Sequence, residues 1–227
     1  MIFLSLGSNL PSSDGNFNRF ENIDSAIKIL STNNYTLIKK SSYYETPSYP
    51  DKKNPKFINV IISLKKKINE SSEKDEVKRL MHTIVQVENR HGRKRNKKNE
   101  PRSIDVDIID YNGRVLEFIL TGGEPIKIPH ERLGLRNFVL FPLKEISPNW
   151  IHPLTGKNID HLIDELSEID KKSILKVQRT WYNKNMLNQE DLIKKVKMYN
   201  SFFDPNKLSK AYSFALNAHK NQKRDAG

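Results

Sequence analysis

Pro101-Arg102-Ser103-Ile104-Asp105-Val106-Asp107-Ile108-Ile109-Asp110-Tyr111 sets Ile104, Val106 and Ile108 in alternation with Asp105 and Asp107. Successive side chains of an extended chain point to opposite faces, so the stretch is a half-buried strand with one apolar face. Both carboxylates then share the other face, roughly 6.5–7 Å apart along the chain. Such a pair can grip hard divalent cations, as magnesium held with nucleotide phosphates requires. Taken alone, the same pattern equally describes a polar strand edge facing water. The flanking residues favour the first reading: Arg102 lies three residues before Asp105, and Arg93, Lys94, Arg95, Lys97 and Lys98 fill the stretch upstream. Carboxylates beside a basic loop suit a site that holds metal and polyphosphate together, with cations offsetting charge on the transferring group.

Working outward, residues 2–7 are mostly apolar and end at Gly7, which predicts a strand running into a tight turn. Phe20, Ile23, Ile27 and Leu30 fall at helical spacing and predict a helix over 18–31. Extended stretches over 35–46 and 56–66 flank the turn-rich segment from Ser48 to Pro55. Val77, Leu80, Met81, Ile84 and Val87 mark a second helix over 72–90. Beyond the acidic strand come short extended pieces at 116–120 and 125–128, short helices at 140–146 and 158–166, and a further strand over 174–182. The order strand, helix, strand, strand, helix, strand predicts an α+β fold. Its expected form is a ferredoxin-like layered sandwich, an antiparallel-rich sheet with helices packed on it, followed by a helical C-terminal tail.

Glu88 continues the apolar stripe of the second predicted helix after Met81 and Ile84. A carboxylate there stands either at the end of the stripe or where it meets a polar ligand. The chain has 227 residues, 36% hydrophobic and 29% charged, enough for one ordinary domain and something more. It contains no cysteine, which excludes disulfides and thiolate metal sites. The apolar N-terminus lacks a basic start and is interrupted by Ser8 and Asn9, so it reads as a strand rather than a signal peptide. No run approaches the ~20 apolar residues that span a bilayer, and the expectation is a cytoplasmic monomer with no membrane contact. A net charge of +12 fits nucleic acid, anionic substrates or a lysine-rich composition. A nucleic-acid-binding module is the rival function. It would need aromatic residues interleaved with its cations, whereas here the basic loop abuts two aspartates. No nucleic-acid partner is expected.

Pro101-Arg102-Ser103-Ile104-Asp105-Val106-Asp107 followed by two apolar residues closely resembles the signature of the hydroxymethyldihydropterin pyrophosphokinases. Gly7-Ser8-Asn9-Leu10, Tyr44-Glu45-Thr46-Pro47, Phe57-Ile58-Asn59, Glu88 with Gly92-Arg93-Lys94-Arg95, Ile128-Pro129-His130 and Arg136-Asn137-Phe138 resemble further pieces of that family, in its order, across residues 1 to about 165. The resemblance implies transfer of pyrophosphate from ATP to 6-hydroxymethyl-7,8-dihydropterin. It implies that Asp105 and Asp107 bind two Mg²⁺ ions, and that Arg93 and Arg102 stabilise phosphate charge, with Arg95 a further loop contact. His130 would meet the ATP phosphates, Glu88 the adenosine, and Ile108 would also lie at the ATP site. Asn59 would pair with the pterin edge, Phe57 and Phe138 would stack on the ring, Gly7, Thr46 and Pro47 would shape the pocket, and Arg136 would close over it. Asn99 and Glu100 depart from the aromatic and small residues that many members carry before Pro-Arg.

A family domain over 1–185 leaves 186–227 as a separate tail. Within it, the stretch from Ala211 to Arg224 is similar to the extreme N-terminus of Rel/SpoT-type alarmone synthetase/hydrolases. On that resemblance the tail is the incomplete start of a hydrolase-like domain; the alternative is a charged helical tail, and in either case the expectation is too little apolar content for a core of its own.

Overall fold

The computed structural model describes residues 1–32, 34–67, 72–92, 100–119, 125–178, 193, 196 and 204–219. The chain divides into two compact units, Met1–Arg179 and Thr180–Gly227. The first carries β1 (Ile2–Ser8), α1 (Arg19–Thr32), β2 (Tyr35–Lys40), β3 (Tyr43–Thr46), β4 (Phe57–Lys66), α2 (Glu73–Arg90) and β5 (Asp105–Tyr111). There follow β6 (Leu116–Ile119), β7 (Pro125–Ile128), α3 (Asn137–Ile146), α4 (Ile159–Asp164), α5 (Glu168–Ser173) and β8 (Leu175–Val177). In the second unit α6 (Pro205–His219) carries an exposed Phe214; the rest of 186–227 apart from 193, 196 and Asp204 lies outside the described residues. No helix among the described residues is long and apolar enough to cross a membrane.

Among the described residues the main sheet runs β5–β1–β4–β3–β8, with β2 also paired to β4. Every pairing among these described strands is antiparallel. The core order is the ferredoxin-like one expected from the sequence, fourth strand, first, third, then second. The second strand comes in two pieces because Ser41 breaks it. Its Oγ accepts the Ile61 N–H at 3.0 Å, while its own N–H donates to the Ile61 carbonyl at 2.9 Å. A side chain that replaces a backbone acceptor interrupts the ladder, so 35–46 forms β2 and β3 along one edge of β4.

Both faces of the sheet are covered, which is why β4 reads as a nearly continuous apolar run. On one face Leu4, Leu6, Ile58, Val60, Ile62 and Leu64 pack with Ile23, Ile27 and Leu30 of α1 and Val77, Leu80 and Ile84 of α2. On the other, Phe3, Ile61 and Ile109 pack with Val139, Leu140 and Leu143 of α3 and Ile159 and Leu162 of α4. α3 begins three residues before the predicted 140–146, because Asn137 and Phe138 complete its first turn after Arg136. α5 was not legible: it buries no residue and forms through its cap, where Ser167 Oγ accepts from the Asp170 N–H. Of the strand expected over 174–182, β8 supplies three residues, and 179–182 lie outside the described residues.

A register shift between Phe3 and Leu4 brings Asp110 opposite Phe3 and leaves Ile109 as an extra residue in β5. Asp110 is buried, and it accepts from Trp150 Nε1 at 2.7 Å and from the Gly113 N–H at 2.7 Å. Asp110→Ala strands the buried Trp150 Nε1–H, while the Gly113 N–H is exposed and can turn to water. At about 1–3 kcal/mol for a buried donor left unpaired, the variant loses about 1–3 kcal/mol, measured as a lower urea midpoint.

Candidate active site

The face covered by α3 and α4 changes character along β1, β4 and β5. Toward one end the inward residues stop being apolar: Gly7 pairs with both Asp105 and Asn59, and Asn59 pairs with Tyr44. One residue pair further in, Ser5 faces Asp107 and Ile61. Carboxylates, a glycine, an amide and a phenol therefore stand in a row across four strands, because a shared register puts opposite residues on one face.

Gly7 keeps the middle of that row low. A Cβ there would stand 3.2 Å from Asn59 Oδ1 and 3.5 Å from the Phe57 ring. Asn59 is buried, and its Nδ2 donates to Thr46 Oγ1 at 2.9 Å and to the Tyr44 carbonyl at 3.4 Å. With both amide hydrogens directed at β3, the Oδ1 is the end turned toward Gly7. Tyr44 is fixed in turn, its hydroxyl donating to Glu145 Oε2 of α3 at 2.8 Å; burial pushes that phenol well above its usual range.

Each carboxylate meets its own arginine. Arg102 Nη1 donates to Asp105 Oδ2 at 2.9 Å, and Arg136 Nη1 to Asp107 Oδ2 at 3.1 Å. Arg102 is aimed by its Nε, which donates to the Glu100 carbonyl at 3.0 Å. Arg136 precedes α3 and lies 5.5 Å from the centre of the Phe138 ring. Enclosure by protein, and then the neighbouring Asp105 carboxylate, push the Asp107 carboxyl above its usual range, with Arg136 pulling it back. His130 follows β7. Burial and then the Arg136 charge lower its pKa, so the ring is neutral at neutral pH. Its Nδ1 accepts from the Arg132 N–H at 3.1 Å, which leaves the ring proton on Nε2 as a donor.

The structure thus brings Gly7, Thr46, Phe57, Asn59, Arg102, Asp105, Asp107 and Arg136 to one face, with His130 within electrostatic reach of Asp107 and Phe138 beside Arg136. Pro47 follows Thr46 and is half-buried. Arg93, Lys94, Arg95, Lys97, Lys98 and Asn99 lie outside the described residues.

Two residues expected at the ATP site lie apart from that face. Ile108 pairs with Leu4 and is buried in the core under α1 and α2, so its side chain points away from the face of Asp105 and Asp107. Glu88 is 1% exposed, and its Oε1 accepts the Val106 N–H at 3.1 Å. That carboxylate is held against β5, which ends the sheet among the described residues. Sequence reasoning gave Asn9 no role of its own, although it stands in the Gly7-Ser8-Asn9-Leu10 stretch. It is 2% exposed and its Oδ1 accepts the Arg102 N–H at 2.6 Å.

Among the described residues no three His, Cys, Asp or Glu side chains converge as a metal cage. Two carboxylates on one face are nonetheless what magnesium uses when phosphates and water complete its shell, so the donor set fits that ion.

Residues 3–148 match the family model described as 7,8-dihydro-6-hydroxymethylpterin-pyrophosphokinase (HPPK). The chain is 32% identical over 157 residues to the 2-amino-4-hydroxy-6-hydroxymethyldihydropteridine pyrophosphokinase of Aquifex aeolicus, covering 69% of this chain and 86% of that one. It is 33% identical over 126 residues to the protein of the same name in Synechocystis, covering 56% of this chain and 58% of that one. It is 30% identical over 174 residues to the folic acid synthesis protein fol1 of Pneumocystis carinii, covering 77% of this chain and 21% of that one. The chain therefore spans about a fifth of the Pneumocystis protein and under two thirds of the Synechocystis one. Its fold is similar to that of Plasmodium falciparum HPPK-DHPS, with a TM-score of 0.52 at 16% identity over 72% of this chain and 44% of that one.

Proposed function

Because the chain belongs to the 7,8-dihydro-6-hydroxymethylpterin-pyrophosphokinase family, we propose that it transfers the terminal pyrophosphoryl group of ATP to 6-hydroxymethyl-7,8-dihydropterin, releasing AMP. The pterin hydroxymethyl oxygen attacks the β-phosphorus, the bond from that phosphorus to the α–β bridging oxygen breaks, and the alcohol proton is lost. The observation that carries this reading is the row formed by two arginine-paired carboxylates, an open glycine and a buried amide with its acceptor turned inward. A nucleic-acid-binding role has no comparable support.

Asp105 and Asp107 would hold two Mg²⁺ ions; when bound, these ions neutralise triphosphate charge, polarise the β-phosphorus and lower the pKa of the attacking alcohol. Arg102 and Arg136 now neutralise the carboxylates. Both side chains are only 18% exposed, so their charges act across partly excluded water. Both guanidiniums lie where they would also face phosphate, which a planar guanidinium meets in two-pronged fashion. Neutral His130 offers an Nε2–H to phosphate without adding a charge that would compete with metal. Arg93 and Arg95 would supply further cations. On the other side Asn59 Oδ1 accepts from the pterin amino edge, Phe57 and Phe138 offer ring faces, and Thr46 and Pro47 close the wall.

The test is an assay with ATP, Mg²⁺ and the reduced pterin alcohol, scoring AMP and the pterin pyrophosphate. AMP that requires both pterin and metal supports the reading; none, or AMP made equally without pterin, sinks it. Gly7→Val separates the two sides. Its side chain would crowd Asn59 Oδ1 and Phe57, raising KM for the pterin at least about tenfold, or ~1.4 kcal/mol, with little change in KM for ATP.

A further inference from the structure

Asn9 joins the two walls of the cleft. Its Oδ1 accepts the Arg102 backbone N–H at 2.6 Å, and the N–H groups of Asn9 and Leu10 both donate to the Arg102 carbonyl at 3.1 Å. The backbone of Arg102 is therefore gripped at its donor and at its acceptor by two consecutive residues. The other end of the same amide reaches the opposite way. Asn9 Nδ2 donates to Ser48 Oγ at 3.3 Å and to the Pro55 carbonyl at 3.1 Å, while Ser48 Oγ itself donates to that carbonyl at 2.5 Å. Ser48 and Pro55 stand near the two ends of the connection between β3 and β4. That connection leads from Thr46 and Pro47 on one side to Phe57 and Asn59 on the other.

We propose that Asn9 is a positioning residue that fixes Arg102 against the 47–56 connection, so that the phosphate-facing and pterin-facing walls keep one spacing. The inference rests on the functional reading above and adds a coupling to it. Geometry explains the residue type. The position needs one acceptor and one two-hydrogen donor on a rigid planar group, and asparagine supplies both at this length. Its near-complete burial means that neither end has water as a substitute partner.

The two ends can be cut separately. Asn9→Asp keeps an acceptor for the Arg102 N–H but turns an oxygen toward the Pro55 carbonyl, loosening the 47–56 side. Asn9→Ala loses both ends, and Ser48→Ala weakens only the loop side. Steady-state kinetics on the full chain should show KM for the pterin raised about tenfold in Asn9→Asp, at nearly unchanged KM for ATP. Ser48→Ala should shift the same parameter less. In Asn9→Ala both KM values should rise and kcat should fall, since Arg102 is no longer held.

Amide hydrogen exchange reads the same tie without activity. Exchange should quicken over 47–56 in Asn9→Asp, and over both 47–56 and the Arg102 amide in Asn9→Ala. Variants that melt earlier yet keep both KM values and kcat would make Asn9 a structural residue and overturn the proposal. Equal shifts in the two KM values in Asn9→Asp would overturn the separable coupling. A wild-type chain that makes no pterin-dependent AMP defeats the functional reading alone. In that case unchanged exchange in Asn9→Ala overturns the tie as well, and the expected exchange pattern upholds it.

Discussion

Asp107→Asn should lower pterin-dependent AMP formation at least about a thousandfold while leaving the protein no easier to unfold at neutral pH. The activity loss follows from the donor set. Two carboxylates on one face of β5 are the oxygen ligands proposed for the metals, and an amide oxygen in place of one removes a full charge. Metal stabilisation of a phosphoryl-transfer transition state is worth several kcal/mol, and each ~1.4 kcal/mol is tenfold. The stability half follows from the direction of the Asp107 shift. Its pKa lies above 3.8 because enclosure and the Asp105 charge disfavour ionisation more than Arg136 favours it. A carboxyl raised in the fold stabilises the protein below its unfolded pKa, and that stabilisation is lost as pH rises through the folded pKa. The charged form is the one this environment disfavours, so an uncharged isostere gives up no stability. A urea midpoint at pH 7.5 at or above wild type, with activity gone, is the expected pair of results. A clearly lower midpoint would mean that the Arg136 pair holds the fold together, and retained activity would remove Asp107 from the metal site. Asp105→Ala should also abolish AMP formation, but without an asparagine's shape its effect on folding is less diagnostic.

The sheet was readable because β1 and β4 are apolar runs bounded by polar or turn residues, β5 alternates, and the first two helices carry apolar stripes. The carboxylate pair was readable for the same reason: period-two alternation alone puts Asp105 and Asp107 on one face. The same rule places Ile108 with Ile104 and Val106 on the apolar face, where the structure has it. Glu88 was ambiguous because helical spacing says which face a residue occupies, not what meets it there. The Val106 N–H comes from a strand 18 residues on. Long-range partners were the least legible. Arg136 reaches Asp107 across 29 residues and Glu145 reaches Tyr44 across 101, through connections whose geometry no local pattern encodes. Asn9 combined both difficulties, since a polar residue after a strand reads as an ordinary turn and its partners lie 39, 46 and 93 residues away.

Asn59→Leu should lower kcat/KM for the pterin about a hundredfold and leave binding of a non-hydrolysable ATP analogue intact. Leucine keeps the branching and heavy-atom count of the side chain, so the change to the strand and its neighbours is small. What disappears is an oriented acceptor. Asn59 commits both amide hydrogens to β3, at Thr46 Oγ1 and the Tyr44 carbonyl, and this leaves Oδ1 facing the glycine-floored cleft. A heterocycle edge bearing N–H donors loses its partner there and is left dry against a methyl group, the situation in which discrimination by hydrogen bonding is strongest. Thr46→Val tests whether orientation or mere presence of the amide matters. It removes the acceptor that holds Nδ2 at 2.9 Å but leaves Asn59 in place. A loss of about tenfold, smaller than in Asn59→Leu, is expected if the amide must be held one way round. If Thr46→Val has no effect, the Tyr44 carbonyl alone orients the amide. If Asn59→Leu binds the pterin as well as wild type, the amide does not read the ring, and recognition would have to come from the aromatic walls at Phe57 and Phe138.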